Sequence, residues 1–355
     1  MNILYFSQVP WSWIKQRPHF LPEALSKLGH DVTFFSIATG KQKSNFKDGN
    51  FKVKEIRGLR GSAKLNISRK VNAIICKKAF KNDNYEIVIL TYPFQYNYLT
   101  ETLKRKPILY DCMDIVPDFY TGNSKSFMET SELNLSNKAI KIITSSNAIA
   151  ERIQRKYGIS SDKFCLIRNA VVNNIDKRTS NHNVMLNENN AVYVGTIDSW
   201  IDFETLYQYC IENKDFYIYM VGPISGAVKK IVLKAPPNIV FTGALGHNIA
   251  LEYVKKAKIV LIPFIVTDLI KGVDPVKLYE YIALGKSIVS SYWEELKHFN
   301  NEQIVFYDEK ASFAEAIQKA KYIRVKKSDF FIIKNNWDDR SRRLDAIIKQ
   351  IKPLN

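Results

Sequence analysis

The sequence predicts an α/β protein made of two Rossmann-like, doubly wound domains facing each other across a cleft. Three observations carry that expectation. Short apolar, β-branched runs alternate with segments of helical spacing. The alternation halts in a polar, asparagine-rich stretch and then begins again. A chain of 355 residues is also longer than one compact core accommodates.

The first series opens with a strand at Asn2–Ser7, a helical pattern from about Pro18 to Leu28, and a second strand over 32–35 after Gly29-His30-Asp31. That is a βαβ opening. Strand-like runs recur at 87–90, 107–110, 141–144 and 164–167, with helical patterns between them. Ligands of such sheets bind beyond the carboxyl ends of the strands, which directs attention to the loops 7–19, 92–95, 111–118 and 145–147. Residues 172–190 lack apolar periodicity and read as a linker between domains 1–171 and 191–335. The second series runs through strands at 191–194, 216–221, 239–241, 259–262, 287–291 and 303–307. A final helical segment from Trp337 presents Leu344, Ile347 and Ile348 on one face and needs something to pack against.

Composition narrows the class. Hydrophobic residues at 46% and aromatics at 12% exclude a disordered chain. Cys76, Cys112, Cys165 and Cys210 are scattered and read as reduced core thiols of a cytoplasmic protein, and the five histidines are too dispersed to suggest a metal cluster. The N-terminus opens directly on a strand and not on a signal peptide, and no window is long and apolar enough to span a membrane. The net charge of +17 asks for an anionic partner. Thirteen Lys and Arg stand between Lys41 and Lys81 against only Asp48 and Glu55. They suit the anionic inner face of a membrane, although part of that segment also reads as helix and strand. Nucleic acid is the rival partner, and no helix-turn-helix, RNA-recognition or zinc-finger signature supports it.

The most informative stretch is Asp274-Pro275-Val276-Lys277-Leu278-Tyr279-Glu280-Tyr281-Ile282-Ala283-Leu284-Gly285. Asp274 suits an N-cap, Pro275 the first helical position and Gly285 the left-handed end of a helix of about three turns. Lys277 in the first turn opposes the helix dipole, and the usual reason to add a cation to a positive helix end is a bound anion, commonly phosphate. Glu280, one turn on, offers acceptors for the two hydroxyls of a ribose. The alternative is an ordinary i,i+3 surface ion pair.

From Val276 through Val289 the sequence resembles the donor-site helix and following strand of GT-B glycosyltransferases of bacterial polysaccharide assembly, related to family 4 and to the glucuronosyltransferase of xanthan synthesis. The resemblance extends over nearly the whole chain. It implies transfer of a sugar from a nucleoside diphosphate sugar, UDP-linked, to a growing surface polysaccharide or a lipid-linked oligosaccharide. It also implies a final helix, 336–355, that crosses back to the first domain. The donor would meet Val276, Lys277 and Glu280, the turn Gly195-Thr196-Ile197 after the first strand of the second domain, Phe264 against base or ribose, and Lys271 beside Gly272. Phe264 is equally readable as a core aromatic. Family 4 enzymes often carry Arg and Lys shortly after the Gly195 turn, and Ser199 to Glu204 has neither, so phosphate charge falls to Lys277 and Lys271. No metal is expected, since there is no Asp-x-Asp motif and helix dipole plus Lys277 can neutralise the leaving group. Acceptor contacts fall on Gln16, Arg17 and His19, which would equally suit a capped surface helix. If the reaction inverts, Asp114 takes the place of the catalytic base, with Asp111 as competitor or loop organiser; in a retaining enzyme Asp114 would serve only to position the acceptor. A GT-B scaffold without catalysis, binding no nucleotide, is the alternative from another functional class.

Overall fold

The computed structural model describes residues 1–38, 40, 44–81, 83–178, 182–324 and 329–351. Two compact units divide the chain: Met1–Asn169 with Trp337–Asn355, and Ala170–Asn336.

In the first unit, eight strands among the described residues form one sheet: β1 Asn2–Ser7, β2 Asp31–Ala38, β3 Asn45–Asp48, β4 Phe51–Arg57, β5 Ile87–Leu90, β6 Ile108–Cys112, β7 Lys141–Thr144 and β8 Phe164–Leu166. Their order is β3-β4-β2-β1-β5-β6-β7-β8. Every pairing is parallel except β3 with β4. The central strands are apolar end to end, as parallel strands covered on both faces must be: Ile87–Leu90 is wholly buried. β6 continues through Cys112, so Asp111 sits inside a strand and not in the loop expected there. The basic segment is only partly free surface, because β3 and β4 occupy its middle; its Lys41 and Lys43 lie outside the described residues. Helix Trp337–Gln350 packs on helix Arg17–Lys27. Trp337 stacks on Phe20 at 5.2 Å, and His30 Nε2 pairs with Asp345 at 2.8 Å.

The second unit holds six parallel strands among its described residues: β9 Asn190–Val194, β10 Tyr217–Val221, β11 Ile239–Gly243, β12 Ile259–Ile262, β13 Ser287–Ser291 and β14 Ile304–Tyr307. The order β11-β10-β9-β12-β13-β14 reverses direction between β9 and β12, the position where doubly wound sheets open a crevice. Strand periodicity sorts the core into two faces. Val192, Val260 and Ile288 face helix Val276–Ala283, whereas Ala191, Leu261 and Val289 face the helices Phe203–Glu212 and Phe313–Tyr322. The stretch 172–190 belongs to this unit: Val171 bridges to Asn336, and Ile175 is fully buried in the first of these clusters. Isolated apolar residues anchor it without any period, which is why it reads as a linker; its residues 179–181 lie outside the described residues.

Candidate functional site

The helix expected to meet the donor is Val276–Ala283, shorter than expected at eight residues. Its N-cap is Pro275, without a side-chain cap. Asp274 does not cap it: its carboxylate is buried and accepts from the Tyr279 hydroxyl at 3.1 Å. No side chain therefore caps the first turn, although the Leu278 amide is already taken by the Pro275 carbonyl at 3.0 Å. The C-terminal end follows the expectation. Gly285 has φ +66°, its amide donates to Ile282 and that of Lys286 to Tyr281, the two bonds of a Schellman motif.

Leu278, Tyr281 and Ile282 are fully buried on the sheet side. Lys277 Nζ donates to Glu280 Oε2 at 2.7 Å, with side-chain exposures of 31% and 10%. A third member comes from another helix. His247, first residue of His247–Lys256, lies with Nε2 3.4 Å from Glu280 Oε1. Burial raises the Glu280 carboxyl, but Lys277 and His247 more than offset this and bring it down to about 2. An ionised carboxylate only accepts, so His247 Nε2 carries the proton and its buried Nδ1 has no hydrogen-bond partner among the described residues. The cluster thus presents one cation, one fixed anion and one imidazole at a helix N-terminus. Such a set can clamp a phosphate and a diol together.

His247 was missed by the sequence reading. It stands 33 positions from Glu280 and no local pattern links them; the one available signal was a polar residue opening a helix after the strand-end turn Thr242-Gly243.

The turn after β9 is partly occupied by the fold itself. The Gly195 amide donates to Val221 and that of Ile197 to Pro223, while the Ile197 side chain is fully buried. Ile197 is therefore a core residue and not a donor contact. Thr196, between them, is exposed. Gly222 closes against this turn at φ +151°, where a Cβ would come within 1.9 Å of the Gly195 carbonyl oxygen. Phe264 is half-buried, stacked on Trp293 at 6.1 Å and edge-on to Tyr193 at 6.3 Å, so the core-aromatic alternative holds for much of its surface. Lys271 pairs with Asp268 at 2.9 Å and lines a depression that includes neither Lys277 nor Glu280. It is not brought into the cluster of Lys277, Glu280 and His247.

In the first unit Arg17 and Asp111 meet each other. Arg17 Nε and Nη2 donate to Asp111 Oδ1 at 2.9 and 2.7 Å, Nη1 donates to the Ile167 carbonyl, and the Tyr5 hydroxyl donates to Asp111 Oδ2 at 2.6 Å. Side-chain exposures of 2% and 0% leave neither group open to an acceptor. His19 is likewise buried: Nδ1 accepts from the Gln16 amide and Nε2 donates to the Pro10 carbonyl, the neutral tautomer, and burial lowers its pKa. These buried side chains spend their polar groups on each other and on the backbone. Of the three expected acceptor residues, Gln16 alone is half-exposed.

Asp114 differs. It is half-buried beyond the end of β6, and its carboxylate makes no hydrogen bond among the described residues. Burial pushes it up to about 7 against the opposing pull of Arg17. A carboxylate poised near neutrality is suited to accept a proton.

No family model matches the chain. TuaH of Bacillus subtilis (strain 168), assigned by name to teichuronic acid biosynthesis as a glycosyltransferase, is 20% identical over 294 residues, covering 79% of this chain and 71% of that protein. Solved structures of the same fold include sucrose-phosphate synthase from Thermosynechococcus elongatus, with TM-score 0.74 and 16% identity over 98% of both chains. Anabaena HepE in complex with UDP and glucose gives 0.71 and 13% identity over 99% of this chain and 100% of that one. The lipopolysaccharide outer core galactosyltransferase WaaB gives 0.67 and 12% over the same shares. TuaH and the solved structures of this fold are GT-B glycosyltransferases, and the chain shares their fold of two parallel-sheet α/β domains.

Proposed function

We propose that the protein transfers a sugar from a UDP-linked donor to a growing surface polysaccharide or lipid-linked oligosaccharide. The observation that carries the reading is the Lys277–Glu280–His247 cluster at the N-terminus of helix Val276–Ala283. Lys277 and the first-turn amides face the diphosphate, Glu280 accepts from the ribose hydroxyls, and His247 holds Glu280 in place. Positive charge at this helix end stabilises the leaving UDP, so the proposed reaction runs without a metal. TuaH, HepE and WaaB support the donor class and the acceptor class by their names. Calorimetric titration with UDP, GDP, ADP and CMP tests it: UDP binds at least tenfold tighter than the others, and equal or absent binding sinks the assignment.

Asp114 takes the acceptor's proton as it attacks the anomeric carbon, in an inverting transfer. The acceptor is met at a membrane surface. No helix among the described residues is long and apolar enough to cross a membrane. Helix Asn66–Ala79, however, exposes Ile67 and Ile74, at 69% and 68%, alongside exposed Lys70, Lys77 and Lys78. Basic residues around exposed aliphatics suit the anionic inner leaflet, where each cation contributes about 1 kcal/mol. Cosedimentation with anionic vesicles should fall at least fivefold in Ile67→Asp/Ile74→Asp; equal binding to neutral vesicles defeats the proposal.

A further inference from the structure

A depression in the second unit has none of Lys277, Glu280 and His247 in its lining. It has a volume of about 1030 Å³ and lies at the carboxyl ends of β12, β13 and β14, along helix Phe203–Glu212 and beside the first turn of helix Phe313–Tyr322. Pockets for drug-sized ligands run about 300–1,000 Å³, so it has room for more than one sugar ring.

Its charge is opposite to that of the chain. Asp202, Glu212, Asp308 and Glu309 line it against Lys271 and Lys310, in a protein of net charge +17. Phosphate and other anions are disfavoured there. Two phenols stand in its wall, Tyr209 and Tyr307, 5% and 7% exposed; Ser291 faces the Tyr307 hydroxyl, whereas the Tyr209 hydroxyl has no hydrogen-bond partner among the described residues. Buried hydroxyls without partners are costly, and a ligand with hydroxyls of its own can satisfy them as donor or acceptor. Tyr292 stands half-exposed at the rim, its ring held edge-on by Phe306 at 5.3 Å.

We propose that this pocket is a subsite for neutral glycosyl residues of the acceptor chain: hydroxyls pair with Tyr209, Tyr307 and the carboxylates, and the apolar face of a ring lies on Tyr292. The inference rests on the transferase reading above and extends acceptor recognition to the unit that binds the donor.

Saturation-transfer NMR on the whole protein tests it, with maltotriose, cellotriose and tri-N-acetylchitotriose as neutral probes and a hyaluronan tetrasaccharide as the anionic one. At saturating UDP, at least one neutral trisaccharide gives transfer that falls fivefold or more in Tyr292→Ala, while UDP affinity stays unchanged and so reports an intact fold. Normal UDP binding with no neutral trisaccharide signal overturns the subsite. So does a signal indifferent to Tyr292→Ala, or a stronger signal from the anionic probe. A protein that binds trisaccharide but no nucleotide overturns the transferase reading instead, and the acceptor role with it.

Discussion

Arg17–Asp111, between a helix start and strand β6, and Lys277–Glu280, within helix Val276–Ala283, are both short ion pairs, and the sequence suggests function for both. Their surroundings separate them. The first is only 2% and 0% exposed, and Tyr5 and the Ile167 carbonyl take up further hydrogen-bonding capacity. In the second, Lys277 keeps 31% of its side chain in solvent at a helix end whose amides have no cap. A buried, well-bonded pair has no capacity left for a ligand, whereas a half-exposed one can exchange its partner for a phosphate. A charged pair therefore identifies a region, and burial decides which charges act there.

Breaking the buried pair is expected to have the broadest effect. Arg17→Met strands the Asp111 carboxylate and should cost about 3–5 kcal/mol of stability in urea unfolding, out of roughly 5–15 for a typical protein. If Arg17→Met unfolds like the wild type and yet loses activity, Arg17 is an acceptor ligand after all.

Asp114, unlike the carboxylates of the two pairs, makes no hydrogen bond among the described residues, and Asp114→Asn should lower kcat by about 10²–10⁴-fold with UDP affinity intact. Because the proton is held up to about 7, wild-type kcat/KM rises with pH through that value, and the limb disappears in the variant. The sign for stability is opposite to that of an ordinary ion-paired carboxylate. The folded state retains a proton that the unfolded chain releases near about 3.9, so Asp114 subtracts stability as pH rises from there to about 7. Asp114→Asn should accordingly raise Tm at pH 8, and a lower Tm would mean that the carboxylate has a structural partner. Should Asp111→Asn alone abolish turnover in a folded protein, the base lies three residues earlier.

Lys277→Ala and Glu280→Ala should each weaken UDP binding about ten- to a hundredfold, the loss of a charge-assisted bond of about 1.5–3 kcal/mol. Unchanged calorimetric affinity in both would reduce the pair to a surface i,i+3 bridge. With Glu280 lowered to about 2, its own ionisation leaves UDP affinity level from pH 5 to 8. His247→Ala is the mildest of the set, an expected loss of about fivefold in UDP affinity, because it positions Glu280 and supplies no phosphate contact. A loss as large as that of Lys277→Ala would make His247 a direct ligand.

Local patterns determined much of this protein. Period-2 and helical spacings yield the strands and the two-domain α/β class, since each depends on neighbours a few positions away. Pro275, Lys277, Glu280 and Gly285 mark helix Val276–Ala283 for the same reason, with boundaries off by a residue or two because Asp274 is drawn to Tyr279. Partnership across the chain was decided only by tertiary structure. Arg17 finds Asp111 across 94 positions, and His247 finds Glu280 across 33. The burial that silences Arg17, Asp111, His19 and Ile197 while leaving Asp114 near neutrality comes from packing of distant segments. A residue's type fixes which bonds it can make, but the number of those bonds already taken is a property of the fold, and no spacing in the sequence encodes it.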